Sequence, residues 1–314
     1  WLQGMLNYAQ CADVGVVGVK LVFPNKTLQH AGVILGMGEN GVAEHPHFGI
    51  SMNDAGYMGR AMCVQNMSAV TAACLMLKKS TYLDVGGLDE DKFKILYNDV
   101  DLCLKVKSLG RRNVWTPYVT LIHHGSASIK NLKVDEKKRT QTQYEIDSMV
   151  EKWLPQLAND PSYNRNLSLK TNDFQVDDTL NVTWETSCKS KPRVYAFPLD
   201  SSGVGQYRVR GPLAALTKNG IIESSLANNW DNLIYPTPAE IERIKPDVLL
   251  SQNAFLDHSL APWKRYRRFN STFMISGLDD LVYMLPVNHP KQGVWPKNIR
   301  RKVKELFHNS DRLI

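Results

Sequence analysis

Asn98-Asp99-Val100-Asp101-Leu102-Cys103-Leu104-Lys105-Val106-Lys107-Ser108-Leu109-Gly110 runs, after Arg111-Arg112, into Asn113-Val114-Trp115-Thr116-Pro117-Tyr118-Val119-Thr120-Leu121-Ile122-His123-His124. In the first part, Leu102, Val106 and Leu109 recur at helical spacing, and Gly110 ends the pattern. Residues 113–122 return as a strand. Two carboxylates two residues apart therefore open a helix, and two histidines close the strand that follows. One helix-to-strand return brings an acidic pair and an imidazole together. That combination suits a site that deprotonates a hydroxyl beside a metal-bound anion.

Working outward from this return, residues 1–12 read as the end of an amphipathic helix and residues 14–23 as a buried Val/Leu/Phe strand. Residues 28–35 read as a second strand, and Gly36 to Gly59 as a long polar loop of the kind that carries function or stays disordered. Residues 69–77 form another apolar strand. Ser80 is placed to cap a short helix stopping at Gly86. Gly86-Gly87-Leu88-Asp89-Glu90 follows, and residues 140–154 make a helix with Ile146, Met149, Val150 and Trp153 on one face.

Residues 155–190 are rich in Asn, Ser, Asp, Thr and Lys and read as a linker or an irregular edge segment. Beyond them the pattern alternates: strand at Arg193–Pro198, glycine loop at Asp200–Gly205, helix at Tyr207–Asn219, helix at Pro238–Ile244, and strands at Asp247–Ser251 and Phe273–Ser276. Alternation of this kind predicts a parallel sheet. The expected domains are residues 1–154, a linker over 155–190, and residues 191–314.

The 314 residues suit two domains, and 43% hydrophobic with 22% charged residues is globular composition. Net charge is +7, which fits an anionic small substrate, a phospholipid surface or nucleic acid alike. Of the five cysteines, Cys74 and Cys103 lie in apolar patterns as reduced core thiols, and no Cys-x-x-Cys occurs, which favours a cytosolic compartment. Asn-x-Ser/Thr triplets at Asn66 and Asn181 carry little weight. No apolar run approaches the roughly 18–20 residues that span a bilayer, and no signal peptide is visible. The chain starts at Trp1 inside a helical pattern and ends at Ile314 in an apolar one, so it reads as a piece of a longer protein.

In order along the first half stand Val16-Val17-Gly18-Val19-Lys20-Leu21, Gln29-His30-Ala31-Gly32, Gln65-Asn66, Ser68-Ala69-Val70-Thr71-Ala72-Ala73-Cys74, Gly86-Gly87-Leu88-Asp89-Glu90, Asn98-Asp99-Val100-Asp101-Leu102 and His123-His124. This ordered set, over about residues 1–130, resembles the C-terminal part of a family 2 glycosyltransferase of the GT-A fold, of the bacterial rhamnosyltransferase-like kind. The resemblance implies inverting transfer of a sugar from a nucleotide diphosphate sugar to an acceptor hydroxyl. It places the catalytic base on Asp99 and substrate contacts on Gly87, Asp89, Asn98 and Asp101, with the Gly86–Glu90 segment shaping the acceptor side. Asp101 lies about 200° further round the helix than Asp99, so it more plausibly braces the loop or the helix start.

The resemblance also puts a late metal ligand on His123, ahead of His124, for Mn²⁺ or Mg²⁺. The family's Asp-x-Asp donor element is absent from the chain and is expected before Trp1.

Gly203-Val204-Gly205-Gln206-Tyr207-Arg208-Val209-Arg210-Gly211-Pro212-Leu213, followed by Lys245-Pro246-Asp247-Val248, resembles the N-terminal half of a GT-B glycosyltransferase of the family 4 type. The fold class that follows is α/β: an incomplete GT-A-type mixed sheet, then a Rossmann-like parallel-sheet domain, the GT-B half. Gly203 and Gly205 either make a tight strand-to-helix turn or let a phosphate approach the helix, with Arg208 and Arg210 as substrate-binding neighbours.

Each of these residues has a plainer reading. Asp99 and Asp101 suit any helix N-terminus. His45 and His47 read as mobile loop histidines or a metal pair, and His30 as a groove-lining residue or a structural hydrogen-bond partner. Lys264, Arg265, Arg267 and Arg268 beside Trp263, Tyr266 and Phe269 read as a solvated helix face, an anionic-lipid contact or a nucleic-acid contact, and Arg300-Arg301-Lys302-Val303-Lys304 as the same kind of face. The leading expectation is a cytoplasmic glycosyltransferase of bacterial cell-surface polysaccharide synthesis, with a glycan or lipid-linked acceptor, no nucleic-acid partner, and contact with the inner face of the plasma membrane where the acceptor is lipid-linked. A non-catalytic carbohydrate- or nucleotide-binding protein is the alternative, and a nucleic-acid-binding module the third.

Overall fold

A computed structural model describes residues 1–124, 136–177, 180, 182–200, 203–227, 235–286, 288, 293 and 295–314. Gly125 and Ser126, which follow the two histidines in the sequence, and Asn181 lie outside these residues. The chain divides into two compact units, Trp1–Val176 and Asp177–Ile314.

In the first unit the order is α1 (Leu2–Ala9), β1 (Val14–Val22), β2 (Leu28–His30), β3 (Ile34–Leu35), β4 (Ala43–Glu44), β5 (Gln65–Met67), β6 (Leu75–Leu77), α2 (Lys79–Asp84), α3 (Asn98–Ser108), β7 (Arg112–Ile122) and α4 (Glu136–Ala158). β1 is buried at all nine positions, as a Val/Leu run with neighbours on both sides must be. It pairs parallel with β7 and antiparallel with β2 and β6, and β5 closes the far side of β7 antiparallel. The sheet is therefore mixed. Met5 and Ala9 of α1 pack on Val17, Val19 and Leu21.

Three expectations are corrected here. Residues 28–35 do not form one strand, because Gly32 turns the chain at φ +92° where a Cβ would collide with Met67. Residues 69–77 keep only Leu75–Leu77 as strand; the stretch before it lends its amides to side chains described below. Ser80 lies inside α2, whose N-cap is Lys78 without a side-chain cap. The long loop is tied down. Lys20, 4% exposed, donates its ammonium to the carbonyls of Met52 at 2.7 Å and Ala61 at 3.4 Å.

The segment read as a linker or an irregular edge segment is packed. Leu157, Leu167, Leu169 and Phe174 are buried in the first unit, and Leu180 and Trp184 in the second.

The second unit runs β8 (Arg193–Phe197), a helical entry (Gly203–Gly205, then a π-helical turn Gln206–Arg210), α5 (Gly211–Lys218), β9 (Glu223–Leu226), α6 (Pro238–Ile244), β10 (Val248–Gln252), α7 (Asp257–Phe269), β11 (Phe273–Gly277), α8 (Ile299–His308) and β12 (Arg312–Leu313). Its strands are all parallel in the order β12-β11-β10-β8-β9. The order reverses between β8 and β10, the place where open parallel sheets leave a crevice at the carboxyl ends of their strands. Tyr195, Phe197, Leu249, Trp263, Tyr266 and Met274 fill the core. The Thr237–Glu240 capping box starts α6. The glycine loop expected at Asp200–Gly205 is corrected as well, since Gly203 and Gly205 are already helical.

Candidate active site

Asp99 sits in the first turn of α3, half-buried. Its Oδ2 accepts the Ala72 amide at 2.9 Å, and its Oδ1 the Val100 amide at 2.9 Å. Both bonds leave each oxygen a second lone pair. Ala72 and Ala73 are exposed, so the carboxylate lies at an accessible edge.

One residue earlier, the Thr71 amide donates to Nε2 of His30 at 3.4 Å. His30 is fully buried on β2, and its Nδ1 meets Nδ1 of His45 at 3.0 Å with the rings edge-on, 5.0 Å apart at 88°. Burial first, then the charges of His45 and His123, holds the His30 pKa well below its ordinary value. His123 thus lies in the same neighbourhood. Its backbone amide donates to the Val22 carbonyl at 2.8 Å, extending the β1–β7 ladder by one rung. The Thr71–Ala72 turn is shared by the carboxylate and the imidazole cluster.

His123 carries a buried Nδ1 without a hydrogen-bond partner, an atom suited to a cation. Among the described residues no group of three or more His, Cys, Asp or Glu is arranged to hold a metal. The residues present therefore offer one ligand position and no complete set.

Asp101 is fully buried. Its Oδ1 takes Lys152 Nζ at 2.6 Å and the Trp153 indole N–H at 2.8 Å, and Lys105 lies 3.5 Å from Oδ2. Sealed in this way it braces α3 against α4, and the substrate contact expected for it has no open face. Asp89 shares Lys152, at 3.7 Å. Burial would raise its pKa, but the Lys92 amide and the Lys152 charge bring it below the ordinary value. Gly87 turns at φ +65°, where a Cβ would stand 2.9 Å from the Tyr82 ring. Asn98 opens α3 one residue before Asp99 and is half-buried.

Sequence reading missed Glu145. This fully buried carboxylate on α4 accepts the amides of Lys94 at 3.1 Å, Ile95 at 3.2 Å and Leu96 at 2.5 Å. It fixes the chain that enters α3, and hence Asp99. An acid on the otherwise apolar face pattern of residues 140–154 was the available signal.

In the second unit, the crevice at the strand-order reversal gathers Asp279, Gln252, Asn253 and Arg208. Gln252 and Asn253 both donate side-chain amides to Asp279 Oδ2 at 2.8 Å, and Arg208 Nε lies 3.5 Å from Oδ1. Asp200 Oδ1 accepts the Gly205 amide at 3.0 Å, so the protein's own carboxylate occupies that helix entry. A Cβ on Gly205 would stand 2.1 Å from the Asp200 carbonyl oxygen, whereas Gly203 faces open space. Burial lowers the Arg210 pKa, against the pull of Asp200. Asp279 was not singled out from sequence; its place just past β11 was the clue.

The loop histidines are anchored. His47 is buried and stacks on Phe174 at 4.5 Å, and burial, helped by Arg60, brings its pKa to about 4. Within the basic clusters of α7 and α8, Lys264 pairs with Glu305, Arg267 with Asp311 at 2.6 Å, and Lys302 with Asp257 at 2.7 Å. The described cysteines are all free thiols, and burial pushes Cys103 up to about 12. Among the described residues no helix is long and apolar enough to cross a membrane.

The first unit thus presents a carboxylate-centred, imidazole-flanked site on a mixed α/β sheet. No family model and no solved structure matches the chain. It is similar to the uncharacterized protein y4gI of Sinorhizobium fredii (strain NBRC 101917 / NGR234), 46% identical over 174 residues, which is 55% of this chain and 19% of that protein. It is also similar to the O-antigen biosynthesis protein RfbC of Myxococcus xanthus, 35% identical over 175 residues, 55% of this chain and 13% of that protein. The matched region spans less than a fifth of either relative.

Proposed function

We propose that the chain is part of an inverting glycosyltransferase that moves a sugar from a nucleotide diphosphate sugar to the hydroxyl of a glycan or lipid-linked acceptor in bacterial cell-surface polysaccharide synthesis. One observation carries the reading. The Asp99 carboxylate is held by two backbone amides at an accessible edge, on the same turn that seats His30. Similarity to a protein named for O-antigen biosynthesis supports the same class of product.

Asp99 takes the proton of the acceptor hydroxyl as its oxygen bonds to the anomeric carbon from the face opposite the diphosphate. The bond from that carbon to the diphosphate breaks, its electron pair leaves with the phosphate, and the configuration inverts. A divalent cation, Mn²⁺ or Mg²⁺, held in part by His123, would neutralise the departing charge. Glu145 keeps the entry to α3 in place, and Asp101 with Lys152 fixes the helix itself. The second unit is read as a partner transferase module, with Gly203, Arg208 and Arg210 toward its substrate. The basic faces of α7 and α8 suit an anionic membrane surface on the cytoplasmic side.

A donor screen on the natural protein tests this reading, with Mn²⁺ or Mg²⁺ supplied and then chelated. Transfer that disappears in Asp99→Asn protein of unchanged fold supports it. Transfer at wild-type rate in that variant removes it.

A further inference from the structure

Each ring nitrogen of buried His30 meets one group, and together these decide where the protons sit. A backbone amide only donates, so the Thr71 N–H makes Nε2 of His30 an acceptor that carries no proton. A neutral imidazole then holds its single proton on Nδ1, and His30 donates it to Nδ1 of His45, 3.0 Å away. With Nδ1 accepting, His45 must carry its own proton on Nε2. The opposite order, with His45 donating toward His30 and the Gly32 carbonyl 3.4 Å away, would set a His30 Nε2–H against the Thr71 N–H. Burial keeps His30 neutral, which holds the arrangement in place.

His45 is half-exposed, and among the described residues no protein group is bonded to its Nε2. Its backbone amide is bonded to Glu44 Oε1 at 3.0 Å. Ring and backbone are therefore both fixed, and one N–H is left for a ligand. Asp99 accepts from the amide next to the one that seats His30. Around the Thr71–Ala72 turn and His30 the protein then offers an N–H donor on His45 and a carboxylate on Asp99. Sugar hydroxyls, each a donor and an acceptor, match that pair. A phosphate would meet the charges of Asp99 and Glu44.

We propose that His45 is a ligand-contacting residue that donates its Nε2–H to a hydroxyl of the acceptor sugar, with buried His30 setting its tautomer. The proposal rests on the reading of Asp99 as the base on the acceptor side.

Nitrogen-15 NMR of the chain tests it without turnover. The expected result is His30 protonated on Nδ1 and His45 on Nε2. Methyl α-D-glucopyranoside, methyl α-D-mannopyranoside and methyl α-D-galactopyranoside are then titrated in. At least one should shift the His45 ring resonances, and His45→Ala should weaken that glycoside about three- to tenfold, the worth of one hydrogen bond. His45→Gln, which keeps an N–H donor, should weaken it less, with the Thr71 amide signal unmoved as a check on folding.

A proton on Nδ1 of His45 overturns the proposal. So does a His45 ring that none of the glycosides shifts, or equal affinity in His45→Ala. If glycosides bind at His45 while the natural protein transfers no sugar, the transferase reading falls and this contact stands. If transfer persists and is indifferent to His45→Ala, only this contact falls.

Discussion

Asp99 and His30 are held by consecutive backbone amides: Ala72 N–H donates to the Asp99 carboxylate at 2.9 Å and Thr71 N–H to the His30 ring at 3.4 Å. Two side chains that lie 69 positions apart in the chain are thereby set by one turn. Displacing that turn moves both.

Asp99→Asn keeps the size of the side chain and removes the base, and it gives up one of the two amide bonds because a side-chain amide has a single acceptor oxygen. Sugar transfer by the natural protein should fall about 10²- to 10⁴-fold in kcat/KM, the usual worth of a positioned base. The far-ultraviolet circular dichroism should be unchanged. Steady-state kinetics with the donor found in the screen is the measurement, and near wild-type turnover would refute the assignment.

Stability of the first unit should fall with pH. His47, driven to about 4, and His30, held well below its ordinary value, are both bases that the unfolded chain protonates first. Below the ordinary value of 6.5 the unfolded state gains protons that the folded state refuses, so the unfolding free energy drops with pH until the folded pKa is reached. For His47 the window runs from 6.5 down to about 4, and the loss approaches about 3 kcal/mol at its foot. Arg60 adds to this shift and Asp54 opposes it. His47→Phe keeps the stack on Phe174 and should flatten that part of the curve. Urea titrations at about pH 7 and about pH 4.5 measure it; equal midpoints would contradict the account.

Asp101→Ala strands the Lys152 ammonium and the Trp153 indole N–H. Destabilisation of about 3 kcal/mol is expected, the lower end for breaking a buried pair because Lys152 keeps some water. Asp101→Asn retains an acceptor for Trp153 and should lose less. Denaturant midpoints rank the variants, and an alanine variant as stable as the natural chain would show that the brace is idle.

Gly203 and Gly205 should respond oppositely to alanine. At Gly205 the new Cβ would press on the Asp200 carbonyl oxygen at 2.1 Å, costing about 1–3 kcal/mol. At Gly203 nothing lies within 4 Å, and alanine should be neutral or stabilise by up to about 1 kcal/mol. Urea unfolding followed on the Trp263 indole signal separates the two; equal shifts would mean that the close approach at Gly205 is absent.

What could be read from the chain was whatever repeats locally. The nine buried residues of β1, the helix opening at Asn98 and the strand returning to Ile122 all follow apolar spacing. The misread elements were decided by distant partners. Residues 68–74 have strand-like composition, yet the amides of Thr71 and Ala72 go to His30 and Asp99. His45 looked like a free loop residue until His30, fifteen positions away, took its ring. Glu145, missed in the sequence, accepts three consecutive amides from another segment. Side-chain bonds to remote backbone leave no period in a sequence.

The division between Val176 and Asp177 has a consequence for every thermal measurement on this chain. Trp115 and Trp153 are buried on one side of it, Trp184 and Trp263 on the other, so intrinsic fluorescence sums two reporters. A calorimetric enthalpy larger than the van't Hoff value is the expected signature, and no single melting temperature then describes the molecule.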